Sequence, residues 1–265
     1  MNLASSIVRA IAVASVFATT STSYAAATTN YTDQWWNAGE SGWGAAATQQ
    51  GDTIFFDLFV YGPSSAPIWY TAAATFQATT AQGHLVFSGD LYVTNGPYFG
   101  GSFNPSSVTS RKVGTLTFDA DSVNTARLTY SVDGVTVTKQ VSRQLWRLEN
   151  FTGDYYGGLI YDSFSCINGS NGTLEELASI SLSHNANGAI SMAFVNAVGT
   201  SCNFSATYSQ AGHMGAMQGS YSCSNGISGV FNAFEMEKTI SGFSGRFTGQ
   251  NNLCEFTGHM GGVLR

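Results

Sequence analysis

Glu40 and Ser41 stand inside WWNAGESGWG (residues 35–44), where three tryptophans, a carboxylate and a hydroxyl share ten positions. Gly39-Glu40-Ser41-Gly42 approaches the nucleophile elbow of serine hydrolases. That motif needs glycines two residues before and two after the serine, on a turn from strand to helix. Gly39 fits, but residue 43 is Trp43, no strand pattern precedes the stretch and no helical pattern follows it. The elbow reading fails. Other acids offer no better pair: Glu175 and Glu176 are adjacent and read as solvated, and Glu235 and Glu237 share one strand face with Phe231 and Ala233. A glycosidase needs two carboxyls across a cleft, and the pattern opposes none.

The four histidines are His84, His184, His213 and His259, and GHMG occurs at 212–215 and again at 258–261. An alternating strand order would put His184, His213 and His259 at one end of a barrel, where zinc or a His/Met copper site is conceivable. No H-x-H or H-E-x-x-H spacing supports it. Turn histidines at the surface are the preferred reading, and neither metal nor cofactor is expected. The four cysteines, Cys166, Cys202, Cys223 and Cys254, form no C-x-x-C pair and suggest two disulfides instead.

The elements that must position these residues are strands. Period-2 alternation and turn dipeptides recur at short spacing, an all-β signature. In the first half the runs are Gly42–Gln49, Thr53–Tyr61, Pro67–Phe76, Gly83–Thr94, Lys112–Asp119, Thr125–Val132, Val135–Val141 and Arg143–Leu148. Asp133-Gly134 between two of them marks a primed two-residue hairpin. The second half repeats the plan with Gly153–Tyr161, Leu174–Ser183, Ala189–Val195, Ser201–Tyr208, Ala216–Cys223, Ser228–Glu237, Gly242–Gln250 and Leu253–Gly261. GTLEELA (172–178) fits helix and strand equally. The expected fold is all-β: two consecutive small antiparallel β-barrels or sandwiches of about eight strands each. Residues 30–149 form the first and 150–265 the second, disulfide-containing one. Up-and-down order places the four cysteines at one end of the second barrel and favours 202–223 and 166–254, though three connectivities remain possible.

In TIFFDLFVY, Ile54, Phe56, Leu58 and Val60 make a core stripe, yet the opposite face carries Phe55, Asp57, Phe59 and Tyr61. Both faces are apolar, so both should be covered. The outer face must meet a partner domain, another subunit or a ligand. Packing between the two domains is the preferred reading, because aromatics dominate cores and interfaces alike. The competing reading is a sugar or apolar-ligand site built from Trp35, Trp36, Glu40, Trp43, Asp57, Tyr61, Trp69 and Tyr70. Asp57 is expected to be hydrogen-bonded structurally rather than to act as an acid.

Residues 1–27 have Arg9 near the start, an apolar run from Ala10 to Ala18 and small residues at Ala25–Ala27. That is the layout of a secretory signal peptide, and no later segment is long and apolar enough to span a membrane. Charged residues are only 10% of the chain and the net charge is −6, with no Lys/Arg cluster, which argues against nucleic acid. The sequons at Asn30, Asn150, Asn168, Asn171 and Asn203 matter only in a glycosylating host.

The motifs W-W-x-x-x-E-S-G-W-G (35–44), Q-G-D-x-x-F (50–55), P-x-W-Y (67–70) and TYSVDGV (129–135) resemble a module common in secreted proteobacterial proteins. The resemblance covers nearly all of the first domain and implies export and fold, but no activity, since the module is functionally uncharacterised. Ala38 stands where that module usually has proline. GDYYGGLIY, YSCSNGISGVFNAFEME and GFSGRFTG resemble, less closely, regions that follow such modules. The function expected is therefore a secreted or periplasmic, non-catalytic binding protein. It would use an aromatic surface or barrel cavity of the first domain, with a carbohydrate, a small apolar molecule or a protein as partner. A self-associating structural or adhesion protein is the alternative, and a hydrolase with a site between the domains is a further one.

Overall fold

The computed structural model describes residues 29–167 and 169–265. The leader expected at 1–27 and the sequon at Asn168 lie outside them. The chain forms two closed antiparallel barrels of eight strands each, so the all-β, two-barrel expectation holds. The first comprises β1 (Asp33–Trp36), β2 (Gly44–Gln50), β3 (Thr53–Tyr61), β4 (Pro67–Thr79), β5 (Leu85–Asn95), β6 (Thr109–Ala120), β7 (Thr125–Val132) and β8 (Val135–Arg143). The second comprises β9 (Gly153–Phe164), β10 (Gly172–His184), β11 (Ala189–Asn196), β12 (Ser201–Ala211), β13 (Met214–Cys223), β14 (Ser228–Lys238), β15 (Gly242–Asn251) and β16 (Glu255–Leu264).

One expected strand is replaced. Residues 144–148 are not a strand; β1, inside the tryptophan-rich stretch, takes the eighth place. The reason is Arg143. It pairs with Trp35 at the seam, and its guanidinium is fully buried and tied to the carbonyls of Val123, Thr32 and Asn30. Beyond it Gln144 N–H donates to the Gln34 carbonyl at 2.7 Å, and the chain leaves the wall. GTLEELA is strand, inside β10, with Leu177 exposed outside and Glu176 turned inward. The Asp133-Gly134 hairpin is of the primed kind, with φ of 47° and 87°.

Both barrels begin with the same device. Asn30-Tyr31-Thr32-x-x-Trp35-Trp36 and Asn150-Phe151-Thr152-x-x-Tyr155-Tyr156 open them in turn. Asn30 and Asn150 each accept from the backbone N–H two residues on, at 2.9 and 2.8 Å. Thr32 Oγ1 accepts from Gln49 N–H, and Thr152 Oγ1 from His184 N–H, both at 2.9 Å. The backbone N–H groups of Tyr31 and Phe151 return to the side chains of those same strand residues, Gln49 and His184. The aromatic rings then plug each barrel's base. Trp35 Nε1–H donates to the Tyr31 carbonyl at 3.0 Å, and the Tyr155 hydroxyl to the Phe151 carbonyl at 2.8 Å.

The two interiors differ. In the first barrel Trp35, Phe56 and Phe118 meet with ring centroids 4.9 and 5.3 Å apart, and the core is filled. In the second, Phe151 packs against Tyr208 and Phe243 at the base, but the upper half stays open. Cys202–Cys223 staples β12 to β13 there, and Cys166–Cys254 staples the closing seam of β16 on β9. Those are the two pairings that the up-and-down order favoured, at the one end of the barrel it required.

Candidate functional site

The residues singled out in the sequence divide three ways. Trp35 and Tyr70 lie in the core. Trp36 is half-buried on the outer side of the β1–β8 seam, opposite Ser142. Glu40 and Trp43 belong to the β1–β2 loop at the first barrel's free end. There Trp43 Nε1–H donates to Glu40 at 3.0 Å, and Lys139 Nζ lies 2.8 Å from the same carboxylate. The Lys139 hydrogen bond holds the Glu40 carboxyl below the usual carboxylate range. That cluster is internally satisfied and closes the barrel mouth.

Asp57, Tyr61 and Trp69 remain on the outer wall, which β3 and β4 build together. Antiparallel register points paired residues the same way: Phe55 faces Ala73, Asp57 faces Thr71, and Phe59 faces Trp69. Tyr92 continues the surface from β5 through its pairing with Thr71. The Phe59 and Trp69 rings lie 5.6 Å apart. Gly44 makes room for the first of them: a Cβ there would come within 2.9 Å of the Phe59 ring. Phe55, Tyr61 and Trp69 are 47%, 59% and 61% exposed. The expected burial of this face against the second domain is therefore corrected. The second barrel joins the first at its base, where β1 and Arg143 lie, and never reaches the wall.

Asp57 differs from expectation too. It is half-buried between Phe55 and Phe59 on the strand, but among the described residues its carboxylate takes no hydrogen bond or ion pair. Its alternate neighbour on the wall, Asp90, is paired with Lys112 at 2.7 Å. A carboxylate left open beside flat, exposed rings can accept hydroxyl donors.

The histidines do not converge. His84 bonds Asp119 at 3.0 Å on the first barrel, His184 packs on Tyr208, and His259 is mid-strand on the outer wall, opposite Ile160 and Arg246. Among the described residues no group of three or more His, Cys, Asp or Glu is placed to hold a metal. His213 is not a free turn histidine either. It bridges the barrels, with Nδ1 2.8 Å from Asp33 and Nε2 3.3 Å from Glu237. Glu235 and Glu237 are separated by a bulge in β14; Glu235 accepts from Thr29 at 2.8 Å, a second link between barrels. The sequence carried a signal for this junction in the duplicated NYTDQWW and NFTGDYY openings, which fix where each barrel's base lies.

No protein-family model matches the chain, and no curated protein matches it. Among the described residues no helix is long and apolar enough to cross a membrane.

Proposed function

We propose that this chain is an exported, non-catalytic binding protein whose first barrel presents the β3–β4 wall to a carbohydrate polymer. The observation that supports this reading is the open Asp57 carboxylate beside half-buried Phe59 and the exposed Trp69 ring that it packs on. Sugar rings stack their C–H faces on aromatic rings while their hydroxyls seek acceptors, and a flat wall with one free carboxylate offers both. A surface evolved only to bury hydrophobic area would carry no unpaired acid at its centre, because desolvating it costs several kcal/mol, on the order of what a few ring contacts contribute. The two disulfides suit an oxidising compartment.

Affinity electrophoresis tests this. Migration of the protein through native gels containing soluble glucans, mannans, xylans or acidic polysaccharides should slow for at least one polymer. The wall reading fails if none retards the protein, and sedimentation that shows concentration-dependent self-association through the same face would replace it with a structural role.

A further inference from the structure

The second barrel keeps a cavity of about 160 Å³ that nothing so far described uses. Burial along β12 shows how it opens. On the inner face, Cys202, Phe204 and Ala206 are half-buried while Tyr208 is buried. On β13, Tyr221 and Cys223 are half-buried and Met217 is buried. The interior is therefore accessible from the disulfide end and sealed at the base by Phe151 and Tyr155, which are 0% and 1% exposed. The first barrel, opened by the same motif, has a core of almost wholly buried side chains. Where Trp35 fills the first barrel's base the second has the smaller Tyr155, and Ala206 is among the residues that line the open space above it.

The lining is chemically specific. Met192, Met217, Met236 and Met260 meet the rings of Phe194, Phe204, Phe231, Phe247 and Phe256. Thioethers adapt their shape and rings present their negative faces, a lining suited to a compact apolar body. One acid reaches this space from β10. Glu176 accepts from the Tyr161 hydroxyl and from Asn196 Nδ2, each at 3.1 Å. Burial first, and the Glu176 charge second, push the Tyr161 hydroxyl well above its ordinary value, so it remains a donor to the carboxylate. Among the described residues, the lining includes no lysine, arginine or histidine to neutralise Glu176. A carboxylate with two neutral donors and no cation, set among aromatic rings, lacks only a positive charge.

We infer that the second barrel binds a small organic amine: a protonated ammonium seated at Glu176 and carrying an apolar body of about one ring. The size follows from the volume, since a cavity of roughly 150 Å³ lined by apolar side chains accommodates benzene. The charge preference follows from Glu176 through charge-assisted hydrogen bonding and from the surrounding rings through cation–π attraction.

Methionine-methyl NMR of the mature protein tests the site without relying on the aromatic wall of the first barrel. With 13C-methyl-methionine labelling, phenethylamine should shift the Met192, Met217, Met236 and Met260 signals saturably, while Met214, outside the lining, stays put. Phenylacetate and ethylbenzene, of matched shape, should bind at least about tenfold more weakly, which is about 1.4 kcal/mol. Glu176→Gln should abolish that preference while leaving the methyl signals dispersed. Should that variant not fold, Ala206→Phe, which fills the cavity from its lining, should abolish amine binding in its place. Equal binding of the three probes would overturn the amine assignment, and unshifted methyls at millimolar amine would overturn the site itself.

Discussion

His213 Nδ1, on the β12–β13 turn of the second barrel, lies 2.8 Å from Oδ2 of Asp33, the first strand residue of the first barrel. The same oxygen accepts from the His213 backbone N–H at 3.0 Å and from buried Arg143 at 3.1 Å. Burial alone would raise the Asp33 carboxyl, but the hydrogen bonds from His213 and from the Gln34 N–H outweigh it and hold it below its ordinary value. The hydrogen bonds to Asp33 and then to Glu237 lift the His213 imidazole from 6.5 to about 9. A raised histidine stabilises the fold fully below its unfolded value, and the contribution fades as pH climbs through the folded one. The junction should therefore weaken between pH 6.5 and about 9. With a partly exposed imidazole the loss is on the order of 1 kcal/mol after solvent screening. Thermal unfolding of wild type and His213→Gln across that range checks it: the difference between them should shrink as pH rises. A gap that widens with pH would contradict the assignment.

Gly212 precedes that histidine with φ +57°, and a Cβ there would strike the Asp33 carboxylate and the Arg143 side chain. Gly212→Ala combines a left-handed backbone with that collision and should cost about 1–3 kcal/mol in urea unfolding. The turn's counterpart Gly134, also at positive φ but with open space around it, should lose no more than about 1 kcal/mol as alanine, which isolates the collision from the backbone strain.

The disulfides should differ in worth. Cys166–Cys254 closes 88 residues and holds the β9–β16 seam, whereas Cys202–Cys223 spans 21 within one strand pair. Loop-closure entropy assigns the longer bridge about 1 kcal/mol more, from roughly 4.6 against 3.3. Denaturant midpoints of the two double-alanine variants should fall in that order.

Much of this architecture was legible because period-2 alternation with turn dipeptides is a local signal. β3 and β7 run as Thr53–Tyr61 and Thr125–Val132, with the limits that their alternation implies. β1 was hidden because it is only four residues long and one of its two flanking strands, β8, is distant in sequence. The stretch 144–148 shows as much alternation but lacks a wall to join. The site was legible only in part. Alternation told that Asp57, Tyr61 and Trp69 share a face, but burial of that face depends on how two barrels meet, and Gly212, His213 and Glu237 decide this from the far half of the chain. Trp35 and Trp36 are neighbours in sequence and face opposite sides of one strand, so composition could not separate core from surface.

That separation gives a contrast of variants. Trp35→Ala empties a fully buried site and should cost about 3–5 kcal/mol. Trp69→Ala removes an exposed ring and should stay within about 0.5 kcal/mol of wild type. Thr32→Val should cost about 1–2 kcal/mol because it strands a part-buried strand N–H, and Thr152→Val less than about 1 kcal/mol because its hydrogen bond is exposed and water replaces it. Urea titrations of the four variants check these values together.

The most direct test of carbohydrate binding by the outer wall is the indole N–H spectrum of the protein during titration with an oligosaccharide of whichever polymer retards it. The wall account predicts that the Trp69 signal shifts saturably, that Trp35 and Trp43 stay fixed, and that Asp57→Asn weakens the response while the fold is unchanged. Shifts confined to Trp36 or to Trp146, an exposed residue of the segment after β8, or a response that survives Trp69→Ala at full strength, would contradict it.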